Sequence, residues 1–393
     1  MADPTIPATR RLVHVDALRG LIMLTMALDH TRAFVVREHP FEIWSDPLPA
    51  YAAALPFVTR LVTHFCAPGF FFLMGIGMTL LALSRRRSGW SEGRIGRYFL
   101  IRGLLLLVVQ QVIENPAWIL GTMGAAPEPA SEGVFKPPSG DTPAIFLGVL
   151  YALGLSMVFW GFLLRLSSWL VLLVSIGAIA VTQAVMLAVM GRATDFHALS
   201  FSPLARLFLV PGKSGALFVI YPLIPWLGLT GLGIVFGRYL SDGKRGASQA
   251  FAWGATFLAI FVAVRLFGGV GNIHVPVPDG WIGFLNVTKY PPSLAFITMT
   301  LGVDLTVLGI FAIACNGNEL WAVPLLSFGR CALFFYIVHL YIFALIGFAF
   351  PHGAPITMAY PVWAVGLTIL FPLCRAYERF KHGRPAESLW RLF

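Results

Sequence analysis

Ten apolar runs, each close to the length of a membrane-spanning helix, restrict the fold of this chain more than any other feature. A helix of roughly 20 apolar residues crosses a bilayer core of about 30 Å. The runs cover residues 15–36, 56–83, 96–115, 144–164, 168–190, 214–240, 249–268, 291–314, 322–350 and 357–377. A transmembrane β-barrel would show many short alternating segments instead. We therefore expect an all-α polytopic membrane protein, a bundle of about ten transmembrane helices.

The composition agrees with a single membrane domain. Of the 393 residues, 58% are hydrophobic and only 12% are charged, whereas about a quarter of the residues of a soluble domain are charged. The runs predict a membrane domain at residues 15–377, between an N-terminal tail of 1–14 and a basic C-terminal tail of 378–393. No A-x-A cleavage site accompanies the first run, so we expect it to remain as the first span.

Basic residues cluster in alternate connections, and this pattern predicts the orientation. The net charge is +10, which the positive-inside bias of membrane proteins explains. With ten spans, the two tails and the connections after the second and sixth spans fall on one side. Their basic residues are Arg10, Arg11, Arg85, Arg86, Arg87, Arg94, Arg97, Arg238, Lys244, Arg245, Arg375, Arg379, Lys381, Arg384 and Arg391. We expect this side, with both termini, to be the cytoplasm.

Two other kinds of function are not expected from this sequence. Binding of nucleic acid needs a basic soluble face, and no segment is long enough to form one. The four cysteines, Cys66, Cys315, Cys331 and Cys374, lack metal-site spacing and lie in or beside apolar runs. We expect them to be small buried hydrophobic residues, and we expect no metal.

The first run carries charge at both ends, in H-V-D-A-L-R-G-L-I-M-L-T-M-A-L-D-H-T-R from His14 to Arg32. His30 lies about 15 residues, or roughly 22 Å, along the span and therefore near the outer surface. An imidazole titrates near neutral pH and can act as a general base toward a hydroxyl or an amine. Asp29 is a candidate to orient it, although adjacent side chains on a helix point about 100° apart. The alternative, a helix-end histidine that only hydrogen-bonds at the interface, remains open.

Polar residues from distant parts of the chain are expected at the same outer depth. They are His39, Thr63, His64, Gln110, Gln111, Glu114, Asn115, Arg265, Lys289 and Tyr290. We predict substrate contacts for five of them: Glu114, Gln111, Arg265, Lys289 and Tyr290. The alternative for Glu114 is a structural ion pair with Arg265 or Lys289, because an intramembrane carboxylate needs a partner. His339, deep in the ninth run, is either a site residue or a histidine bonded to a backbone carbonyl.

The cytoplasmic ends of the spans carry mostly cationic groups. Guanidinium groups make paired hydrogen bonds to phosphate, so such a face suits a nucleotide-containing cofactor. An ordinary positive-inside loop is the stronger interpretation of the Arg85–Arg87 run. It explains Arg102 and Arg330 less well, because both lie inside apolar runs. We predict cofactor binding by Arg19, Arg102, Arg330 and Asp16.

Glycine and proline predict how the helices pack. Gly233 and Gly237 form a small-x-x-x-small step that favours close helix approach. Three prolines, Pro68, Pro222 and Pro225, are expected to kink their helices and open space in the bundle.

Five motifs, in order along the chain, resemble a family of transmembrane acyltransferases. The opening D-A-L-R-G-L-I-M-L-T-M-A-L-D-H resembles their first span. The others are P-G-F-F-F-L-M-G from Pro68, Y-P-L-I-P-W-L-G from Tyr221, F-L-N-V-T-K-Y-P-P-S-L from Phe284 and F-G-R-C-A-L-F-F-Y-I-V-H from Phe328. The series is most similar to the bacterial DUF1624 group, which is related to the heparan-α-glucosaminide N-acetyltransferase catalytic domain. It is more distantly similar to acyltransferase-3 membrane proteins, whose first span has R-G near its start and a histidine near its end.

The resemblance implies an acyl-CoA-dependent acyltransferase in the inner membrane of a bacterium. Acetyl-CoA would bind from the cytoplasmic side, and its acetyl group would pass to a hydroxyl or amine of a carbohydrate or glycolipid-like acceptor on the outer face. The alternative is a transporter or flippase that uses the same polar cavity without covalent chemistry. A homodimer is left open as the assembly.

The resemblance also suggests two candidates for the base. His30 matches the acyltransferase-3 histidine in its position along the first span. In the heparan N-acetyltransferases the equivalent of His30 is an asparagine, and the functional histidine comes in the following outer loop, where His39 is the nearest candidate. We rank His30 first and His39 second, and we include Asp29 and His64 in the predicted catalytic set.

Overall fold

The computed structural model describes residues 12–126, 145–191, 196, 199–241, 246–315, 320–384, 388 and 390. Most of the predicted N-terminal tail and part of the predicted C-terminal tail lie outside the described residues. The same holds for five of the basic residues that predicted the orientation: Arg10, Arg11, Lys244, Arg245 and Arg391.

Helices make up about three quarters of the described chain. They are α1 (Val13–Thr31), α2 (Ala54–His64), α3 (Cys66–Arg87), α4 (Glu92–Val109), α5 (Asn115–Met123), α6 (Val149–Leu163), α7 (Ser168–Met190), α8 (Pro203–Phe208), α9 (Leu223–Ser241), α10 (Gly246–Phe267), α11 (Gly280–Leu285), α12 (Leu294–Ala314), α13 (Val323–Arg330), α14 (Ala332–Gly347) and α15 (Ile356–His382). Single π-helical turns extend α1 over Arg32–Val36 and join α4 to α5 over Gln110–Glu114. A 3₁₀ turn at Leu320–Ala322 leads into α13.

Seven spans in the described residues are long and apolar enough to cross a membrane. They are α2 with α3, α4 with α5, α7, α9, α10, α12 and α15. The pair α13 and α14, bent by 95°, is an eighth candidate. A polytopic helical membrane protein is therefore confirmed.

Two further helices fall in predicted runs but do not meet that standard. Charged side chains, including Asp16, Arg19 and Asp29, lower the hydropathy of α1, and α6 is only 15 residues long. Each of the ten runs contains a helix, but the count of ten and the cytoplasmic termini stay predictions.

A small three-stranded sheet accompanies the helices. Strand β3 (Leu217–Val219) pairs in parallel with β1 (Ile145–Leu147) and antiparallel with β2 (Gly212–Ser214). The runs predicted at 144–164 and 214–240 therefore began too early, because their first residues form strands. Short apolar stretches cannot be assigned to strand or helix by periodicity alone.

Pro222 and Pro225 begin a helix instead of kinking one, which corrects the expectation for these two prolines. Pro222 immediately precedes α9, and Pro225 lies in its first turn. Pro68, in contrast, lies in the first turn of α3 and follows a break at Phe65 inside the span that α2 and α3 form. Backbone N–H groups in a first turn have no partner within the helix, so a proline there removes no hydrogen bond.

Glycines bring helices into backbone contact, as predicted for Gly233 and Gly237. A Cβ at Gly233 would collide with the Phe72 carbonyl, and one at Gly237 would press on Ile76, so α9 packs directly on α3. The same arrangement joins α1 to α13, where Gly20 touches Leu325 and Gly329 touches the Asp16 carbonyl. This second contact fixes the cationic end of α13 beside the start of α1.

The helix α1 lies at the centre of the bundle. It packs against α3, α12, α13, α14 and α15, and most of its side chains are buried. Its polar residues consequently face protein and not lipid, as is usual for ionisable groups inside a membrane.

Candidate functional site

A cavity of about 440 Å³ opens among α1, α3, α4, α6, α13 and α14. The cations predicted to bind a cofactor, Arg19, Arg102 and Arg330, all line it, together with Lys381 of α15. The remaining walls are almost entirely apolar, with many Leu, Met and Phe side chains. The cavity therefore combines a cationic mouth with an apolar shaft.

Ion pairs fix the shape of the cationic mouth. Asp16 Oδ1 accepts from Arg19 Nη1 at 2.9 Å, and Arg330 Nη1 donates to Glu378 Oε1 at 3.3 Å. Arg330 Nε lies 3.8 Å from Asp16 Oδ2. Asp16, which was predicted to bind the cofactor, does not line the cavity but orients two cations that do. Arg102 Nη1 donates to the Tyr98 hydroxyl at 3.1 Å.

The inner end of the shaft is marked by a tyrosine–glutamate pair. Tyr336 lines the cavity, and its hydroxyl donates to Glu114 Oε1 at 2.7 Å. The alternative of an ion pair between Glu114 and Arg265 or Lys289 is not observed, because the described residues include no cation within ion-pair distance of Glu114. The sequence could not show that α14 would bring a tyrosine to the π-helical turn between α4 and α5.

Two histidines from opposite ends of the chain meet just beyond this pair. His30 Nδ1 lies 2.6 Å from His339 Nε2, and His339 Nδ1 lies 2.9 Å from the Phe335 carbonyl. A carbonyl only accepts, so Nδ1 of neutral His339 carries the hydrogen and its Nε2 accepts from His30. His30 then carries its hydrogen on Nδ1, and its Nε2 holds a lone pair. That Nε2 makes no hydrogen bond to the part of the chain that the structure describes.

His39 approaches the same place from the connection between α1 and α2. The indole of Trp118 packs edge-on against His30 at 5.2 Å between ring centroids and stacks on His39 at 6.2 Å. Burial lowers the pKa of His39 to about 4, against the raising effect of the Asp29 carboxylate. His39 is therefore a neutral imidazole at pH 7 and remains available as the alternative base.

A buried charge network lies behind the two histidines. Arg60 Nη1 donates to Asp29 Oδ1 at 2.8 Å, and Arg60 Nη2 donates to Glu42 Oε2 at 2.6 Å. Burial opposes ionisation of Glu42, but the Arg60 guanidinium outweighs it and holds the pKa of that carboxyl below its usual range. His64 Nε2 is 3.4 Å from Glu42 Oε1. His64 therefore belongs to this network and is not bonded to His30.

Asp29 does not orient His30, contrary to one expectation. Its carboxylate also accepts from the Thr63 hydroxyl at 2.9 Å, and its partners all lie on α2. Consecutive helix side chains point in different directions, so Asp29 faces α2 while His30 faces α14. Arg60 and Glu42 were missed, although an arginine within an apolar run was a usable signal.

Lys289 and Tyr290 join the network from the segment before α12. Their backbone N–H groups both donate to the Glu42 carbonyl at 3.0 Å. Lys289 Nζ lies 5.2 Å from the centre of the Tyr290 ring and makes no hydrogen bond or ion pair with the described residues. The Tyr290 hydroxyl lies 3.3 Å from that of Tyr221.

Two predicted substrate residues serve the fold instead. Arg265 binds the carbonyls of Gly283 and Phe284 at 2.6 and 2.7 Å and so fastens α11 to the end of α10. Gln111 Nε2 donates to the Phe146 carbonyl at 3.0 Å and secures β1. Neither side chain contacts the histidines, so we leave both out of the proposed site.

The sequence was also compared with known proteins. The family model for "Heparan-alpha-glucosaminide N-acetyltransferase, catalytic" matches residues 11–269. The chain belongs to this family. No curated protein matches it in sequence.

The heparan-α-glucosaminide N-acetyltransferase match covers α1 to α10. It includes His30, His39, Arg60 and Arg102, whereas His339 and the rest of α11 to α15 lie beyond it. An N-acetyltransferase needs a base for the acceptor and hydrogen-bond donors for the developing negative charge. The described residues contain no group of three or more His, Cys, Asp or Glu able to hold a metal ion.

Proposed function

We propose that this protein is an integral membrane acetyltransferase with ten spans and cytoplasmic termini. It takes an acetyl group from acetyl-CoA on the cytoplasmic side and delivers it to an amine or hydroxyl of a carbohydrate acceptor on the outer side. The observation that carries the proposal is a line of groups through the bundle. It runs from the cationic mouth, along the apolar shaft to Tyr336, and on to His339 and His30.

The two ends of this line suit the two substrates. Arg19, Arg102 and Arg330 can hold the phosphates of acetyl-CoA, while the apolar shaft accepts the rest of the arm and excludes water from the thioester. The lone pair on His30 Nε2 takes a proton from the acceptor as its nitrogen or oxygen attacks the acetyl carbon. The carbon–sulfur bond then breaks and CoA leaves through the mouth.

Acetyl-CoA binding tests the donor end. We expect Arg102→Ala to weaken acetyl-CoA binding by at least about tenfold, because a guanidinium–phosphate hydrogen bond is lost. Arg97→Ala is the matched control, since Arg97 is exposed on the same helix and does not line the cavity. Isothermal titration of the purified protein in detergent with acetyl-CoA measures both.

Absence of acetyl-CoA binding by the wild-type protein would remove the basis of the enzyme proposal. Uptake of solute by proteoliposomes in the same preparation would instead favour a transporter that uses the cavity as a passage. If Arg102→Ala and Arg97→Ala change acetyl-CoA binding equally, the cavity is not the acetyl-CoA site.

His339 is proposed as a positioning residue that keeps the His30 lone pair on Nε2. We expect His339→Leu to lower kcat by roughly 10- to 100-fold with little change in the KM for acetyl-CoA, because the base is misdirected while the mouth is intact. His339→Gln, which retains a hydrogen-bond acceptor, should recover part of the rate. Steady-state kinetics with acetyl-CoA and methyl α-glucosaminide measure the split. A rise in KM without a fall in kcat would contradict the role.

A further inference from the structure

Tyr336 is the one residue that brings a polar side chain to the inner end of the cavity among the described lining residues. The other polar side chains of the lining, Arg19, Arg102, Arg330 and Lys381, form the mouth. On α1 the lining ends at Met23, on α4 at Leu106 and on α14 at Tyr336. A thioester that points down the shaft from phosphates at the mouth therefore has its sulfur beside the Tyr336 hydroxyl.

Glu114 lies directly behind that hydroxyl and is cut off from water. Only 3% of its surface is exposed, and Tyr336 Oη lies 2.7 Å from its Oε1. The side chains of Gln110 and Trp118 lie near the carboxyl, but its Oε2 accepts no hydrogen bond from the described residues. As a neutral acid Glu114 can donate to Tyr336, and as a carboxylate it can accept from all three neighbours.

The departing thiolate needs a proton at this point. Even a cysteine thiol has a pKa of about 8.5 in water, and a thiolate that forms in an apolar, water-poor shaft is less stable still. The proposed base, His30, lies on the far side of His339 and serves the acceptor. Release of CoA as a thiol therefore requires a second proton-transferring group, in the cavity where acetyl-CoA is proposed to bind.

We propose that Tyr336, supplied by Glu114, is the general acid that protonates the thiolate of CoA. This inference rests on the proposed function. The acceptor nitrogen or oxygen forms a bond to the acetyl carbon, and its proton passes to His30 Nε2. The carbon–sulfur bond breaks, its electron pair stays on sulfur, and the sulfur takes the Tyr336 hydroxyl proton while Tyr336 takes the Glu114 proton.

After the transfer, the protein holds one additional proton on the His30 imidazole and has lost one from the Glu114 carboxyl. His30 releases its proton toward the outer side, and Glu114 regains one through the cavity after CoA has left. The Glu114 carboxylate that forms meanwhile keeps its hydrogen bond from Tyr336. The two proton transfers thus occur at opposite ends of the transferred group.

Tyr336→Phe with two donors tests the assignment. With acetyl-CoA we expect kcat to fall by about 10²- to 10⁴-fold, the range for a lost general acid, while the Kd for acetyl-CoA stays within about threefold. With p-nitrothiophenyl acetate, whose thiolate is stable at neutral pH without a proton, we expect a loss of less than about fivefold. Methyl α-glucosaminide is the acceptor in both assays. Tyr341→Phe is the matched control, because Tyr341 lies on the same helix and donates instead to the Ile113 carbonyl outside the cavity.

The outcomes distinguish an acid role of Tyr336 from a structural one. Equal losses with both donors would overturn the acid role, since a structural defect does not depend on the leaving group. Unchanged kcat with acetyl-CoA would overturn it as well. If Tyr336→Phe does not fold, Glu114→Gln is measured with the same pair of donors and must show the same selectivity for the proposal to stand. Wild-type protein that binds but never transfers acetyl from acetyl-CoA would overturn the proposed function itself, a result distinct from failure of the acid role alone.

Discussion

Replacing His30 with alanine is expected to lower the acetyl-transfer rate by about 10²- to 10⁴-fold, the usual contribution of a general base. The physical reason is that His30 Nε2 carries the lone pair, since His30 Nδ1 is engaged by His339 at 2.6 Å. Binding of acetyl-CoA should remain within about threefold of wild type, because His30 does not line the donor cavity. Transfer to methyl α-glucosaminide and titration with acetyl-CoA measure the two effects.

The variant His39→Ala decides between the two bases. His39 flanks the same Trp118 ring and is neutral at pH 7, so it is the natural competitor. Retained turnover in His30→Ala together with loss in His39→Ala would reverse the ranking. His352→Ala is the matched control, because His352 is an exposed histidine in the connection after α14.

Replacing Arg60 with alanine is expected to lower the free energy of unfolding by about 3–5 kcal/mol, the cost of leaving buried charges without their partner. Arg60 is fully buried and holds Asp29 and Glu42 at 2.8 and 2.6 Å. The matched control is Arg86→Ala, whose partner Glu92 is solvent-exposed. Loss of such a surface pair should cost about 1 kcal/mol or less. Thermal and chemical denaturation in detergent compare the two variants.

The triple variant Arg60→Met, Asp29→Asn, Glu42→Gln separates charge from packing. Removing these three charges leaves neither carboxylate without its guanidinium partner, so this variant should be more stable than Arg60→Ala. If the triple variant is the less stable of the two, the network stabilises the protein through shape and hydrogen bonding and not through charge compensation. An Arg60→Ala variant as stable as Arg86→Ala would show that water reaches the network.

Much of the membrane architecture follows from local sequence. A run such as 168–190 is apolar throughout, and no alternative to a helix satisfies its backbone in lipid. The steps at Gly233 and Gly237 likewise predicted backbone contact, because only a residue without a Cβ lets helices approach so closely. The donor cavity was also partly visible, since Arg102 and Arg330 are cations within apolar runs and an apolar run cannot hold a cation without a polar neighbour.

The arrangement of the histidines and the charge network was less predictable from the sequence. Residue depth placed His30, His39, His64 and Lys289 in one layer, and the structure brings these groups close together. Depth did not distinguish them from Arg265, which was predicted at the same depth but donates to a carbonyl of α11. The direction in which a side chain points depends on which helix packs beside it, and the hydropathy of the sequence does not predict that packing.

The sequence by itself determined that this chain spans a membrane with many helices, which of them carry charge, and to which family the chain is similar. Those properties depend on runs of neighbouring residues and on the cost of polar groups in lipid. Only the tertiary structure decided that His339 fixes the His30 lone pair, that Arg60 takes Asp29 away from His30, and that Tyr336 reaches Glu114. These three pairs join residues 309, 31 and 222 positions apart, so each depends on how the helices pack and not on any local pattern.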